Sequence, residues 1–152
     1  MEEVMKKAIV GLLTLCVLFV AQGTVSQADG TADTVVNVKV NAASGSYVTA
    51  SNQKKYNTTK VYVYLTTTPS SYVFVQTWGD RGIGSFQNET VGTTAKVKRG
   101  VQSSITNNCT EHRVNAASYV HVKLQLKSET ANIGSAIGKW SPDSTRNYTV
   151  VN

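Results

Sequence analysis

Apolar and polar residues alternate along much of this chain, most clearly in two stretches. From Lys60 to Trp78 the sequence runs K-V-Y-V-Y-L-T-T-T-P-S-S-Y-V-F-V-Q-T-W. Val61, Val63 and Leu65 share one parity, with Tyr62 and Tyr64 on the other; further on, Val73 and Val75 alternate with Tyr72, Phe74 and Gln76. Successive side chains of a strand point to opposite faces, so a period of two marks a strand with one buried face. The stretch predicts two strands joined by a turn at Thr68-Pro69-Ser70. Read as a hairpin, it sends the valines inward and Tyr62, Tyr64, Tyr72 and Phe74 outward, with Trp78 close by. The second stretch is Ser118 to Lys127. Val120, Val122, Leu124 and Leu126 form a buried face, and Tyr119, His121, Lys123, Gln125 and Lys127 a wet one, as in an antiparallel strand with one solvated side.

Weaker signals fill in the rest. Thr34 to Val40 alternates with Val36, Val38 and Val40 on one side. A turn over Asn41 to Ser46 leads to a short strand over Tyr47 to Ala50, and Ser51 to Thr59 reads as a polar connection. Gly79 to Ser85 holds three glycines and predicts a tight or left-handed connection. Phe86 to Val91 starts another strand. Thr94 to Lys98 and Val101 to Thr106, around a turn at Arg99-Gly100, read as a further hairpin. Pro142-Asp143 reads as a turn, and Tyr148 to Val151 as a last strand. No amphipathic helix follows the N-terminal segment. Many short strands with frequent turn signals predict an all-β, antiparallel β-sandwich of about eight short strands.

The N-terminus adds a compartment to this picture. Lys6 and Lys7 precede an apolar run of 14 residues, Ala8 to Ala21, too short for the roughly 20 residues of a membrane span. A basic start, a short apolar core and small residues after it make a secretory signal peptide. Cleavage after Ala28 is preferred to cleavage after Gly23. This predicts a signal helix over 1–28, a single sandwich domain over 29–152, and a secreted product, extracellular or cell-wall associated, of bacterial origin. No stable membrane span is expected once the signal is removed.

The chain carries a formal net charge of +6 at pH 7. Removing Lys6, Lys7, Glu2 and Glu3 leaves that balance unchanged. A basic exported protein favours anionic partners, here a cell-wall polymer or glycan. The basic residues are scattered and no nucleic-acid fold signature accompanies them, so no nucleic acid is expected. Beyond the signal, Cys109 is the lone cysteine. It cannot form an intramolecular disulfide, so it reads as a small buried residue or as a bridge to another chain.

Candidate chemistry is sparse. Cys109 and His112 lie too near in sequence for an extended segment to aim both at one substrate, and neither histidine has a carboxylate at zinc-ligand spacing. No catalytic residue, metal ligand or cofactor is expected. Asp80, Glu89, Glu111 and Asp143 are the carboxylates that a fold could pair in a hydrolase, although nothing in the sequence brings them together. The outward aromatics are the ligand-binding candidates: Tyr62, Tyr64, Tyr72, Phe74 and Trp78. Aromatic rings offer flat faces to sugars and cations, and they are equally the material of ordinary cross-strand pairs.

Several short stretches also carry a resemblance. They are K-Y-N-T-T-K-V-Y-V-Y (Lys55 to Tyr64), N-E-T (Asn88 to Thr90), I-T-N (Ile105 to Asn107), Glu111-His112, and G-K-W-S-P-D-S (Gly138 to Ser144). In these the chain resembles an uncharacterised family of small exported all-β proteins of Gram-positive bacteria. That likeness implies an exported β-domain and attaches no activity to it. The T-W-G at Thr77 and its glycine-rich continuation to Ser85 bear a slighter resemblance to lactococcin-type bacteriocins. The expectation is an exported, non-enzymatic binding or surface-interaction module. The alternative is a bacteriocin-like antagonist acting on membranes.

Overall fold

The structure is a computed structural model of the chain, and it describes residues 32–40, 48–114, 116–129, 132–145 and 148–152. The signal segment, the 41–47 turn and the 130–131 connection lie outside these residues. The described chain is all β. Its strands are β1 (Thr34–Val40), β2 (Val48–Thr49), β3 (Gln53–Lys55), β4 (Lys60–Thr67), β5 (Tyr72–Gly79), β6 (Gln87–Asn88), β7 (Ala95–Lys98), β8 (Ser103–Ile105), β9 (Val120–Ser128), β10 (Gly134–Ser144) and β11 (Thr149–Val151).

Two sheets result. The first has the order β1-β10-β4-β8-β11; the second runs β2-β9-β5-β6, with β3 also on β9 and β7 also on β5. All pairs are antiparallel except β11 with β8. The predicted alternation holds where it was strongest. In β9 Val120, Val122, Leu124 and Leu126 are buried and the residues between them half-buried. Val61, Val63 and Leu65 of the first sheet face Val73, Val75 and the β9 apolar residues of the second, and Trp140 fills the space between with no exposure. Each such valine or leucine contributes roughly 1.5–3 kcal/mol by leaving water.

Where the structure departs from the sequence reading, it does so in pairing. β4 and β5 form no hairpin. β4 lies between β10 and β8 in the first sheet, and β5 between β9 and β7 in the second. Residues 68–71 therefore arch from one sheet to the other. The four-residue connection T-P-S-S is not closed by ladder bonds between β4 and β5. Instead Thr68 Oγ1 donates to Ser70 O (2.5 Å) and Ser70 Oγ to Tyr72 O (2.5 Å).

The expected hairpin over 94–106 is a second arch: β7 joins β5, and β8 joins β4. The two arches lie side by side, with Arg99 N donating to Ser71 O (3.0 Å) and Gly100 N to Leu65 O (2.8 Å). Gly100 has φ 77°, a left-handed conformation that suits glycine. Alternation says which face of a strand is buried but not which strand lies beside it, and two valine faces can meet across a core as well as within one sheet.

Two smaller corrections concern polar residues. The polar connection 51–59 contains β3, whose last residue, Lys55, is fully buried. Pro142-Asp143 is not a turn but part of β10, at an irregularity in its register against β4 between Ser141 and Ser144. A bulge is where a strand tolerates a proline, which has no N–H to give to a ladder. Ser141 Oγ donates to Asp143 O across it (2.9 Å).

Candidate functional site

One end of the sandwich is polar to its centre. There β3 ends, β4 begins and β10 finishes, so Lys55 and Asp143 meet although 88 positions apart. The Lys55 ammonium donates to Thr59 O (2.5 Å), Pro142 O (2.7 Å) and Asp143 Oδ1 (2.9 Å). That accounts for all three ammonium protons. Asp143 Oδ2 accepts from Tyr56 N (2.9 Å), and Asn57 Oδ1 accepts from Thr59 N (2.9 Å). Burial pushes the Lys55 pKa below the usual lysine value, against the pull of Asp143.

Beside this pair lies a second ionic group nearer the surface. Glu89 is buried. Its Oε1 accepts from Arg81 Nε (2.5 Å), and its Oε2 is 2.5 Å from His112 Nδ1. Asp80 Oδ1 accepts from Gly82 N and His121 N, both at 2.9 Å, and Oδ2 is 3.0 Å from His121 Nδ1. Burial works to raise the Asp80 pKa, but these donors outweigh it and hold the carboxyl below the usual range. Asp80, Glu89 and Asp143 thus each face a basic side chain, whereas Glu111 accepts from its neighbour Thr110 (3.1 Å).

Cys109 lies between the two groups and is fully buried, and burial pushes its thiol up to about 12. A Cβ at Gly79 would come within 3.1 Å of its sulfur. The buried reading of Cys109 therefore holds. His112 is turned to Glu89, and a thiol held protonated inside the fold is inert.

The stretches on which the sequence resemblance rests meet at this end. Besides the Lys55–Asp143 and Glu89–His112 contacts, Asn108 N donates to Glu89 O (2.9 Å), Thr110 Oγ1 to Asn57 O (3.1 Å), and Thr90 bridges to Asn107. No single one of these stretches signals a site, because each supplies only part of a cluster assembled from five parts of the chain.

The five aromatic candidates are not brought together. Tyr62 and Tyr64 stand on the outer face of the first sheet. Tyr62 is 3% exposed, packed against Tyr148 with ring centroids 4.7 Å apart. Tyr72, Phe74 and Trp78 stand on the outer face of the second sheet, half-buried. The expected continuous aromatic patch required β4 and β5 to be neighbours, and the arch between them places the two sets of rings on opposite sides of the molecule.

What surrounds the second set is basic. Across the sheet Phe74 lies between Lys127 of β9 and Lys96 of β7, Trp78 is opposite Lys123, and Tyr72 is opposite Lys98. Lys96 Nζ sits 3.6 Å from the Tyr72 ring centroid, and Lys123 Nζ 4.1 Å from that of Phe86. Tyr72 and Phe74 pack edge to face at 5.6 Å. Trp78 Nε1 donates to Gln76 Oε1 (2.9 Å), and Gln76 Nε2 in turn donates to Thr93 O (3.1 Å), which fixes the indole plane. The six strands of this sheet contain no aspartate or glutamate. In its own strand each lysine alternates with buried residues just as the aromatics do in β5, so the alternation holds the signal, but only the pairing of β5 with β7 and β9 gathers them.

Among the described residues no group of histidine, cysteine and carboxylate side chains could hold a metal ion, and no helix is long and apolar enough to cross a membrane. The molecule is thus an all-β two-sheet protein with an ionic cluster at one end and a lysine–aromatic face on one sheet. It belongs to DUF2712, a family of proteins of unknown function, which matches residues 24–144. No curated protein and no solved structure matches the chain.

Proposed function

We propose that this protein is a non-enzymatic binding module of the extracellular or cell-wall space, and that it engages anionic polymer through the outer face of the second sheet. One observation carries the reading: Tyr72, Phe74 and Trp78 line that face between Lys96, Lys98, Lys123 and Lys127, with no acidic residue in any strand of the sheet. Lysines on strands that carry no acidic residue raise the local potential and attract polyanions. Rings that hold lysine tails in place reduce the side-chain entropy lost on binding. The export signal read at the N-terminus supports the compartment. The ionic end serves this function indirectly, by fixing the ends of β5 and β9.

Retention of the purified chain on anionic cell-wall material at stepped salt tests this. Replacing Lys96, Lys98, Lys123 and Lys127 together by glutamine should abolish retention at roughly physiological ionic strength, where surface charges act over about 8 Å. The melting temperature should fall by no more than a few degrees, since Lys96 and Lys98 are exposed, Lys123 and Lys127 are half-buried, and surface substitutions rarely shift stability by more than about 0.5 kcal/mol each. Unchanged retention would remove the proposal.

A further inference from the structure

The geometry points to a phosphodiester-linked, base-free chain, such as a poly(polyol phosphate), as the polymer this face takes, with successive phosphates on Lys98 and Lys96. The inference rests on the binding reading above and adds the chemistry of the ligand. Lys96 and Lys98 alternate with buried Ala95 and Val97, so both ammonium groups rise from the same side of β7. Positions two apart on a strand are about 7 Å apart, and six backbone bonds separate their Cα atoms. Successive phosphorus atoms joined through a three-carbon polyol unit are likewise six bonds apart. An extended chain of that type therefore presents one negative charge per lysine when it runs along β7.

The surroundings suit phosphate. Ser71, Tyr72, Lys96 and Lys98 line a hollow at the end of β5, so a hydroxyl donor accompanies the two charges. The Tyr72 ring holds Lys96 in place from below at 3.6 Å. Lysine binds phosphate as a point charge, so one lysine per phosphate suffices without an arginine fork, and the strands of this sheet contain no arginine. Lys127, on the far side of Phe74, and Lys123, opposite Trp78, continue the basic surface across the sheet. A uronic-acid polysaccharide with one carboxylate per two sugar rings spaces its charges too widely to meet Lys96 and Lys98 together.

Binding of the purified chain to poly(glycerol phosphate), to hyaluronate and to oligodeoxythymidylate, each over a range of salt, tests the inference. Poly(glycerol phosphate) should bind at least about tenfold more tightly than hyaluronate, a difference of about 1.4 kcal/mol. In the Lys96→Gln/Lys98→Gln variant that preference should vanish, and the slope of log K against log salt should fall by roughly 1.4, two contacts at about 0.7 each. Lys139→Gln, on the first sheet, should change neither. If hyaluronate binds as tightly as poly(glycerol phosphate), the phosphodiester assignment fails while anionic binding stands. Tighter binding of oligodeoxythymidylate overturns the base-free assignment. If none of the three is retained, the binding reading falls with it.

Discussion

Two carboxylates at the polar end, Asp143 and Glu89, are both buried, yet they are partnered in opposite ways. Asp143 faces Lys55, and neither side chain reaches solvent. Glu89 faces Arg81 and His112, whose side chains are 29% and 47% exposed. Moving charge into a low-dielectric interior is expensive, and a fully enclosed pair holds only while both members are present. A carboxylate whose partners keep one side in water can lose one contact and be rescued by solvent. The first pair joins β3 to the end of β10 and so ties the second sheet to the first. The second holds the glycine-rich loop after β5 against residues 108–112 at the surface.

The largest expected effect follows from the enclosed pair. Asp143→Ala strands the Lys55 ammonium and should cost about 3–5 kcal/mol in urea unfolding. The double variant Lys55→Met/Asp143→Leu, which removes both charges, should recover most of that loss. A double variant as unstable as the single one would show that the backbone contacts of Lys55 to Thr59 and Pro142 matter more than the pairing.

Glu89→Gln keeps the shape of the side chain but weakens two charge-assisted contacts, and should cost about 1.5–3 kcal/mol. A loss equal to that of Asp143→Ala would erase the distinction between closed and open sites.

The smallest effect is the most specific. The Asp80 carboxyl is held below its usual range, so the stabilisation is present above the ordinary aspartate pKa of about 3.9 and disappears as the pH falls through the lower folded-state value. Asp80→Asn should therefore melt below the parent protein at pH 7, and the two melting temperatures should converge as the pH drops below about 4. A gap of constant size down to pH 2 would assign the effect to packing instead.

Most strands were legible in the sequence because a half-buried strand writes its own face into its parity, as β4, β5 and β9 do. Their neighbours were not, since both arches look like hairpins when only apolar spacing is read. Lys55 was missed for a different reason. A lysine in a polar run ordinarily sits in water, and the carboxylate that makes it an interior residue lies near the other end of the chain. The candidate site was half legible: the parity of Tyr72, Phe74 and Trp78 was correct, while Tyr62 and Tyr64 were grouped with them only through the mistaken hairpin. The histidine–carboxylate contacts left no sequence signal, because Asp80 with His121 and Glu89 with His112 are joined by folding alone.

The arches also govern how the chain can fold. β5 and β6 are the only consecutive strands that pair among the described residues. The ladder between β4 and β10 sets Val63 opposite Trp140, more than half the chain away. Loop closure must precede nearly every favourable contact, and topologies dominated by such distant pairings fold in milliseconds to seconds rather than microseconds. Without β10 nothing joins β1 to β4, so a nascent chain stopped short of Gly134 can pair the second sheet but holds only the β4–β8 ladder of the first. Completion of the first sheet is thus deferred until β10 has been made.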